Sequence, residues 1–408
     1  MSAQRLVIVD GIRTPFCKWN TSFASLGADE LGRVAVNALL TRTGIDPKLI
    51  DEVIFGCVCQ PVEAANIARV IALRAGIPES VPAMTVHRNC ASGFEAITVA
   101  SERMAAGRGS VFVVGGTENM SQVPLLFKQR AAKKYAALGG AKTVLKKLAA
   151  LAQFRLSDFE PRIALKLGLT DSVSGLNMGE TAELLARENG ISREMQDEFA
   201  VQSNQRAVAA REKLSGEICP VYVNGKAITE DNGPRADTSL AALEKLKPAF
   251  DRRYGTVTPG NSSQLTDGAV ALLVMTEEKA AELGFKQPLG RLAEYAYTGC
   301  DPARMGLGPV SAIRKAGRPV AEADLIEINE AFAAQVLAVL KQLGDVPLEK
   351  LNVNGGAIAL GHPVGATGAR LVLGALKELQ RRQGRRALVS LCVGGGQGGA
   401  LWLERDSL

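Results

Sequence analysis

The chain is short of the residues that most site chemistries need. It has two histidines, His87 and His362, in 408 residues. That is too few for a typical histidine-based zinc site, and no HExxH run occurs. Aromatic residues make up 5 %, and no cationic patch with stacking aromatics points to nucleic acid. There is no Walker A run, and the glycines around His362 are spaced by four and three residues, which does not match the dinucleotide fingerprint. No apolar run reaches the length of a membrane-spanning helix. The seven cysteines (Cys17, Cys57, Cys59, Cys90, Cys219, Cys300 and Cys392) are odd in number and scattered. This excludes a disulfide framework and points to a reducing, cytoplasmic setting. Cys57-Val58-Cys59 has a single intervening residue and no second pair, so these read as core or loop thiols. The N-terminus enters a strand pattern at once and has no signal-peptide run, and Asp406-Ser407-Leu408 is not a peroxisomal address.

What is abundant is small and aliphatic. Apolar residues reach 47 % and there are 42 glycines, a composition suited to tightly packed α/β layers. Strands and helices alternate: Leu6–Val9, Val53–Phe55 and Val111–Val114 read as strands, Asp29–Thr43 and Ser92–Ala106 as helices. The C-terminal part repeats the order, with strands at Leu325–Ile328 and Ala387–Val393 around a helix from about Gly365 to Arg382. Glu52 stands 38 residues before Cys90, and Asp324 stands 38 before His362. These matches predict two related α/β halves with an insertion between them.

The insertion opens with a basic amphipathic stretch. Lys128, Arg130, Lys133, Lys134, Lys142, Lys146, Lys147, Arg155, Arg162 and Lys166 interleave with Leu125, Phe127, Tyr135, Leu145, Leu148 and Phe154, against only Asp158 and Glu160. Such a segment lies on an anionic membrane, docks a partner, or presents a solvated helix face on its own domain. The net charge of +6 does not by itself choose among these.

Three junctions place one reactive side chain among small residues: His87–Gly93 around Cys90, Gly361–Gly368 around His362, and Cys392–Gly396. Cys90 precedes a predicted helix, where free backbone N–H groups are expected to lower the thiol pKa. A nucleophilic cysteine needs a base. His362, held in a glycine turn, is the better candidate, and His87 on the strand before Cys90 reads as a packed core residue.

These motifs resemble those of thiolases: NCASG at Cys90, GTVTPGNSSQLTDGA from Gly255, NEAFA from Asn329, GGAIALGHPVGATGAR from Gly355 and LCVGGGQGG from Leu391. The resemblance runs the length of the chain. It implies the thiolase fold, two duplicated βαβαβαββ halves in five αβαβα layers. The halves would be 1–121 with 266–287, and 288–408, with an inserted loop domain at 122–265 for CoA and acyl binding. By motif, Cys90 would be acylated, His362 would take its proton, and Cys392 would be the second acid/base. Asn329 would hold a water that, with His362, stabilises an enolate. The N–H groups of Cys90 and Gly394 would form an oxyanion hole. Ser263 would contact pantetheine, and Met178 and Phe332 would line the acyl or pantetheine pocket. Ketoacyl synthases share the fold but use Cys-His-His or Cys-His-Asn sets, from which Cys392 departs.

The implied activity is that of a 3-ketoacyl-CoA thiolase of fatty-acid β-oxidation, with CoA as substrate and no cofactor or metal. Asn177, where short-chain biosynthetic thiolases usually carry histidine, and the basic segment favour the β-subunit type of the trifunctional complex. That type implies a homodimer or tetramer, a hydratase/dehydrogenase α-subunit as partner, and peripheral membrane contact through 125–166. The alternatives are a biosynthetic acetoacetyl-CoA thiolase and, in another class, a non-catalytic membrane or partner scaffold.

Overall fold

The computed structural model describes residues 5–405; the C-terminal tripeptide and the first four residues of the N-terminal reading lie outside them. Two compact units emerge, 123–170 and the rest of the chain.

The larger unit is built on ten strands: β1 (Leu6–Arg13), β2 (Cys17–Lys18), β3 (Glu52–Gly56), β4 (Ala83–Val86), β5 (Val111–Asn119), β6 (Thr266–Thr276), β7 (Gly290–Gly299), β8 (Leu325–Ile328), β9 (Arg386–Val393) and β10 (Gln397–Glu404). Their order is β8-β9-β10-β7-β1-β6-β5-β3-β4, with β2 on the end of β6. The join between β7 and β1 is thin: only Val7–Arg291 and Ile8–Gly290 pair across it. On one side, β3 pairs parallel with β4 and β5, and β5-β6-β1 continue antiparallel. On the other, β8 pairs parallel with β9, and β9-β10-β7 continue antiparallel. A single parallel bridge from Ile326 to Leu351 stands where β4 stands in the first half.

Side-chain alternation turns these two half-sheets into layers. Val111 and Val113 of β5 pack with Leu31, Ala35 and Ile71 of the outer helices α1 (Ala28–Thr43) and α2 (Ile67–Arg74). Phe112 and Val114 point the other way, onto a central layer made by α3 (Ser92–Ala105) and α8 (Val364–Arg382). In the second half, Val389 and Leu391 face that same central layer, while Leu388 packs on the outer helices α6 (Gly308–Lys315) and α7 (Ala333–Leu343). The result is the five-layer αβαβα arrangement. Strands covered on both faces are continuous apolar runs, as β9 is.

α3 and α8 meet through glycine. A Cβ on Gly93 would lie 2.5 Å from the Ala369 nitrogen, and one on Gly368 would lie 2.5 Å from the Phe94 nitrogen. This backbone contact brings the start of α3, which follows Cys90, beside the start of α8, which follows His362.

Within the expected insertion, 122–265, residues 123–170 form a compact unit of their own. Helices α4 (Met178–Glu188) and α5 (Arg193–Ala209) pack with the larger unit. Their apolar faces explain this: Ala182, Leu185 and Ala186 of α4 join Phe332, Ala334 and Ala338 in one buried cluster, and Ala200 of α5 joins Ala333 and Ile358 in another.

The smaller unit pairs Leu125–Leu126 with Arg162–Ile163 and carries helices at Gln129–Gly140 and Val144–Leu151. Phe127, Tyr135, Phe154 and Phe159 form a chain of ring contacts 4.9–5.7 Å apart. Asp158 is buried, accepts from Lys134 at 2.6 Å and forms an ion pair with Arg130 at 3.0 Å, and Lys128 pairs with Glu160. Many apolar side chains stay uncovered, among them Val144 (74 % exposed), Leu145 (81 %) and Leu156 (92 %).

Candidate active site

The turn from β4 into α3 sets the first cysteine. Asn89 adopts φ +42°, a left-handed conformation that asparagine tolerates better than most residues. Its Nδ2 donates to the Gly394 carbonyl at 2.7 Å, tying the Cys90 turn to the loop between β9 and β10. The Ser92 hydroxyl accepts from Arg88 N–H at 2.9 Å and donates to Asn89 O at 2.7 Å, closing the turn from inside. Cys90 Sγ accepts from the backbone N–H groups of Gly394 and of Cys90 itself. Burial nevertheless holds this thiol above its ordinary range, with the Glu118 charge adding to the rise. The lowered pKa expected for a cysteine at a helix start is therefore corrected: desolvation outweighs the two N–H donors. A thiol in this state needs a base at the moment of attack.

His362 is the candidate for that base. Gly361 (φ +103°) lets the chain turn beneath Thr266, whose Oγ1 would sit 2.4 Å from any Cβ there. His362 N–H then donates to Thr266 Oγ1 at 3.1 Å. On the ring, Nδ1 lies 2.6 Å from Thr367 Oγ1, and that hydroxyl donates its one proton to Pro363 O at 3.0 Å. With the hydroxyl proton on Pro363 O, Thr367 accepts from the ring; in that tautomer Nδ1 carries the proton and Nε2 keeps its lone pair. Nε2 is buried without a partner. Burial, with Arg370 nearby, lowers the imidazole to about 4. It is neutral at physiological pH, as a general base must be. His87, read as a packed core residue, is instead exposed at the end of β4.

Cys392 ends β9 in a cluster with Met305, Ala331 and Phe332, with Met178 against it. Its thiol is pushed well above the ordinary value, first by burial and then by Cys90 and Cys300. Asn329 is 1 % exposed, and its amide oxygen and nitrogen have no partner. Buried polar atoms left unpaired are costly and mark places where something else binds. The next residue, Glu330, accepts from Ser203 Oγ (2.6 Å), Asn352 Nδ2 (2.9 Å) and Ile358 N–H (3.2 Å). It thereby fixes the Asn329 loop to the segment that leads into His362.

Gly394 presents its N–H to Cys90 and its face to Met178, whose Sδ is 3.7 Å from the Cβ position. Met178 opens α4 behind an Asn177–Glu180 capping box, so Asn177 acts as a helix cap. Ser263 N–H donates to Ala331 O at 2.9 Å, and Phe332, 8 % exposed, sets its ring edge-to-face against Phe250 at 6.1 Å. Cys90, Gly394, Met178 and Cys392 thus form one connected group. His362 and Asn329 reach it through the α3–α8 crossing and Glu330. The sequence reading missed Thr367, Asn89 and Glu118. A threonine five residues after the histidine, one turn into the helix, was a usable signal; the other two depend on contacts between the halves.

Comparison with known proteins agrees along the whole chain. The thiolase N-terminal domain model matches residues 6–278 and the C-terminal domain model residues 286–405. The chain belongs to the thiolase family. It is 44 % identical to an acetyl-CoA acetyltransferase of Pseudomonas aeruginosa, over 99 % of this chain and all of that one. It is 41 % identical to a 3-ketoacyl-CoA thiolase of Serratia proteamaculans, over 98 % and 97 %. Among solved structures, the acetyl-CoA acetyltransferase of Bacillus anthracis matches with a TM-score of 0.89 at 39 % identity, covering 99 % of both chains. Human mitochondrial 3-ketoacyl-CoA thiolase in complex with CoA matches with a TM-score of 0.89 at 37 % identity, covering 99 % and 98 %. This thiolase is accordingly an acyltransferase of the α/β thiolase fold. Among the described residues, no helix is long and apolar enough to cross a membrane.

Proposed function

We propose that this thiolase cleaves 3-ketoacyl-CoA with CoA, giving acetyl-CoA and an acyl-CoA two carbons shorter, in the degradative direction. The observation that carries the reading is the close α3–α8 crossing, which sets the half-buried Cys90 thiol before the start of one helix and the unpartnered Nε2 of His362 before the start of the other. As Cys90 Sγ attacks the C3 carbonyl, its proton passes to Nε2, and the N–H groups that now reach the sulfur stabilise the tetrahedral oxyanion. The C2–C3 bond breaks, leaving the acyl group on Cys90 and an enolate of acetyl-CoA. Cys392 protonates the enolate at C2, while His362 and a water on the unpaired amide of Asn329 stabilise its oxygen. A CoA thiol then attacks the acyl-cysteine, Cys392 takes the thiol proton, and Cys90 leaves with a proton from His362. In this reading Ser263, Met178 and Phe332 line the pantetheine and acyl path, and CoA is a substrate.

The biosynthetic direction is the second reading, favoured by the similarity to acetyl-CoA acetyltransferases. The long-chain, membrane-peripheral reading is supported by the cationic, apolar surface of 123–170. A dimer or tetramer, with a hydratase/dehydrogenase partner, belongs to the same proposal. Thiolysis of acetoacetyl-CoA and 3-ketohexadecanoyl-CoA decides between them. The long substrate is expected to have the higher kcat/KM; equal or better use of acetoacetyl-CoA overturns the degradative long-chain reading.

A further inference from the structure

Glu118, at the end of β5, has no place in the chemistry above, yet it is fully buried. Its Oε1 accepts from Cys59 N–H at 2.9 Å and faces Cys57 Sγ at 3.7 Å. Its Oε2 accepts from Val58 N–H at 3.0 Å and Gly365 N–H at 2.9 Å. All four neighbours are donors. As a carboxylate both oxygens accept from all of them, although burial raises this carboxyl above its ordinary value. Three of the donors belong to the loop after β3 in the first half. The fourth is in the first turn of α8 in the second half, three residues after His362.

The packing is equally close. A Cβ on Gly365 would lie 2.8 Å from Thr117 O and 2.9 Å from Cys57 Cα. The carboxylate completes this contact by capping α8 from the opposite half, where a negative charge suits the helix start. We propose that Glu118 is a positioning residue that locks the His362 end of α8 onto the half of the molecule that carries Cys90. The inference rests on the reading of Cys90 and His362 as nucleophile and base.

Glu118 also faces Cys90 electrostatically, raising that thiol; the other titratable groups bearing on this region are Cys57, Cys59 and Cys392. The test uses Glu118→Gln and Glu118→Asp in the full chain. The readouts are kcat and KM for acetoacetyl-CoA thiolysis, and the rate of Cys90 alkylation by iodoacetamide at pH 7, followed by peptide mass spectrometry. Glutamine keeps the size but offers one acceptor oxygen to these donors, so kcat is expected to fall about 100-fold, the scale of a small misplacement of a catalytic group, with KM little changed. Loss of the charge should also speed alkylation of Cys90 by about threefold or more. Aspartate keeps the charge but is too short to reach both halves: kcat should fall without faster alkylation. Parent-like kcat in both variants, or alkylation of Glu118→Gln no faster than parent, overturns the proposal. If Glu118→Gln does not fold, Glu118→Asp decides alone, and parent-like kcat there overturns it. A parent chain without thiolase activity instead sinks the functional reading and leaves the alkylation comparison standing.

Discussion

The catalytic end of the central helices and the 123–170 unit leave opposite things unfinished. Around Cys90 the backbone is packed to glycine contact, apolar side chains are covered, and a few polar atoms have no partner: His362 Nε2 and both amide atoms of Asn329. In 123–170 the buried charge is satisfied, Asp158 by Arg130 and Lys134, but large apolar side chains stand in water. A buried polar atom without a partner costs about 1–3 kcal/mol and is retained where a small polar ligand completes it. An exposed apolar patch is retained where a surface completes it. In the proposed reading the first region serves substrate chemistry and the second serves contact.

The comparison is tested hardest by removing the nucleophile. Cys90→Ala deletes the atom that the proposed mechanism acylates, so thiolysis of both short and long substrates should fall at least about 10⁴-fold. Thermal unfolding should shift little, because alanine fills most of the same space at the mouth of the turn. Residual turnover above about 1 % of the parent would show that another group carries the acyl transfer.

The second test concerns pH. In the fold His362 is held at about 4, against 6.5 for an ordinary histidine. A histidine held neutral by burial binds fewer protons folded than unfolded in this window. Stability is therefore intact above pH 6.5 and is lost as the pH falls towards 4. At the lower end the loss is on the order of 3 kcal/mol. Urea unfolding of the parent and of His362→Asn at pH 7 and pH 5 isolates this contribution: the parent should lose more stability than the variant. Equal losses would mean that the ring is solvated. The acid limb of kcat/KM should likewise lie well below the ordinary histidine range.

Much of this contrast was legible from residues alone. The helices around α3 and α8, the strands β3, β8 and β9, and the duplication all follow from apolar periodicity and glycine placement. What was not legible depends on contacts between the halves. The sign of the Cys90 shift needs the depth of burial, which no local pattern around NCASG gives. His87 was expected inside because β4 is apolar, but the strand has ended by Val86 and the side chain faces water. The chain leaves the first half-sheet near 122 and rejoins it at 266, the bounds expected of the insertion, but which part of it packs apart was not legible. The apolar faces of α4 and α5 bring residues beyond 170 back onto the larger unit.

The smallest expected effect on catalysis is the one that isolates the second region. Among the described residues, Lys133, Lys142, Lys146 and Lys147 have no ion pair, whereas Lys134 is committed to Asp158. Reversal of Lys134 would damage the unit itself, so the informative variant changes the other four to Glu. Each lysine near an anionic bilayer contributes about 1 kcal/mol, and Val144, Leu145 and Leu148, on the short helix that carries Lys146 and Lys147, supply the apolar face that such binding also needs. The parent should therefore sediment with vesicles containing phosphatidylglycerol, and the fourfold variant should lose more than 90 % of that binding. Acetoacetyl-CoA thiolysis in solution should stay within about twofold, since none of these lysines belongs to the catalytic group. Vesicle binding that is absent in the parent, or survives the reversal, removes the membrane role. A matching collapse of short-chain activity would mean that the two regions are not separable, and that the contrast drawn between them describes one site.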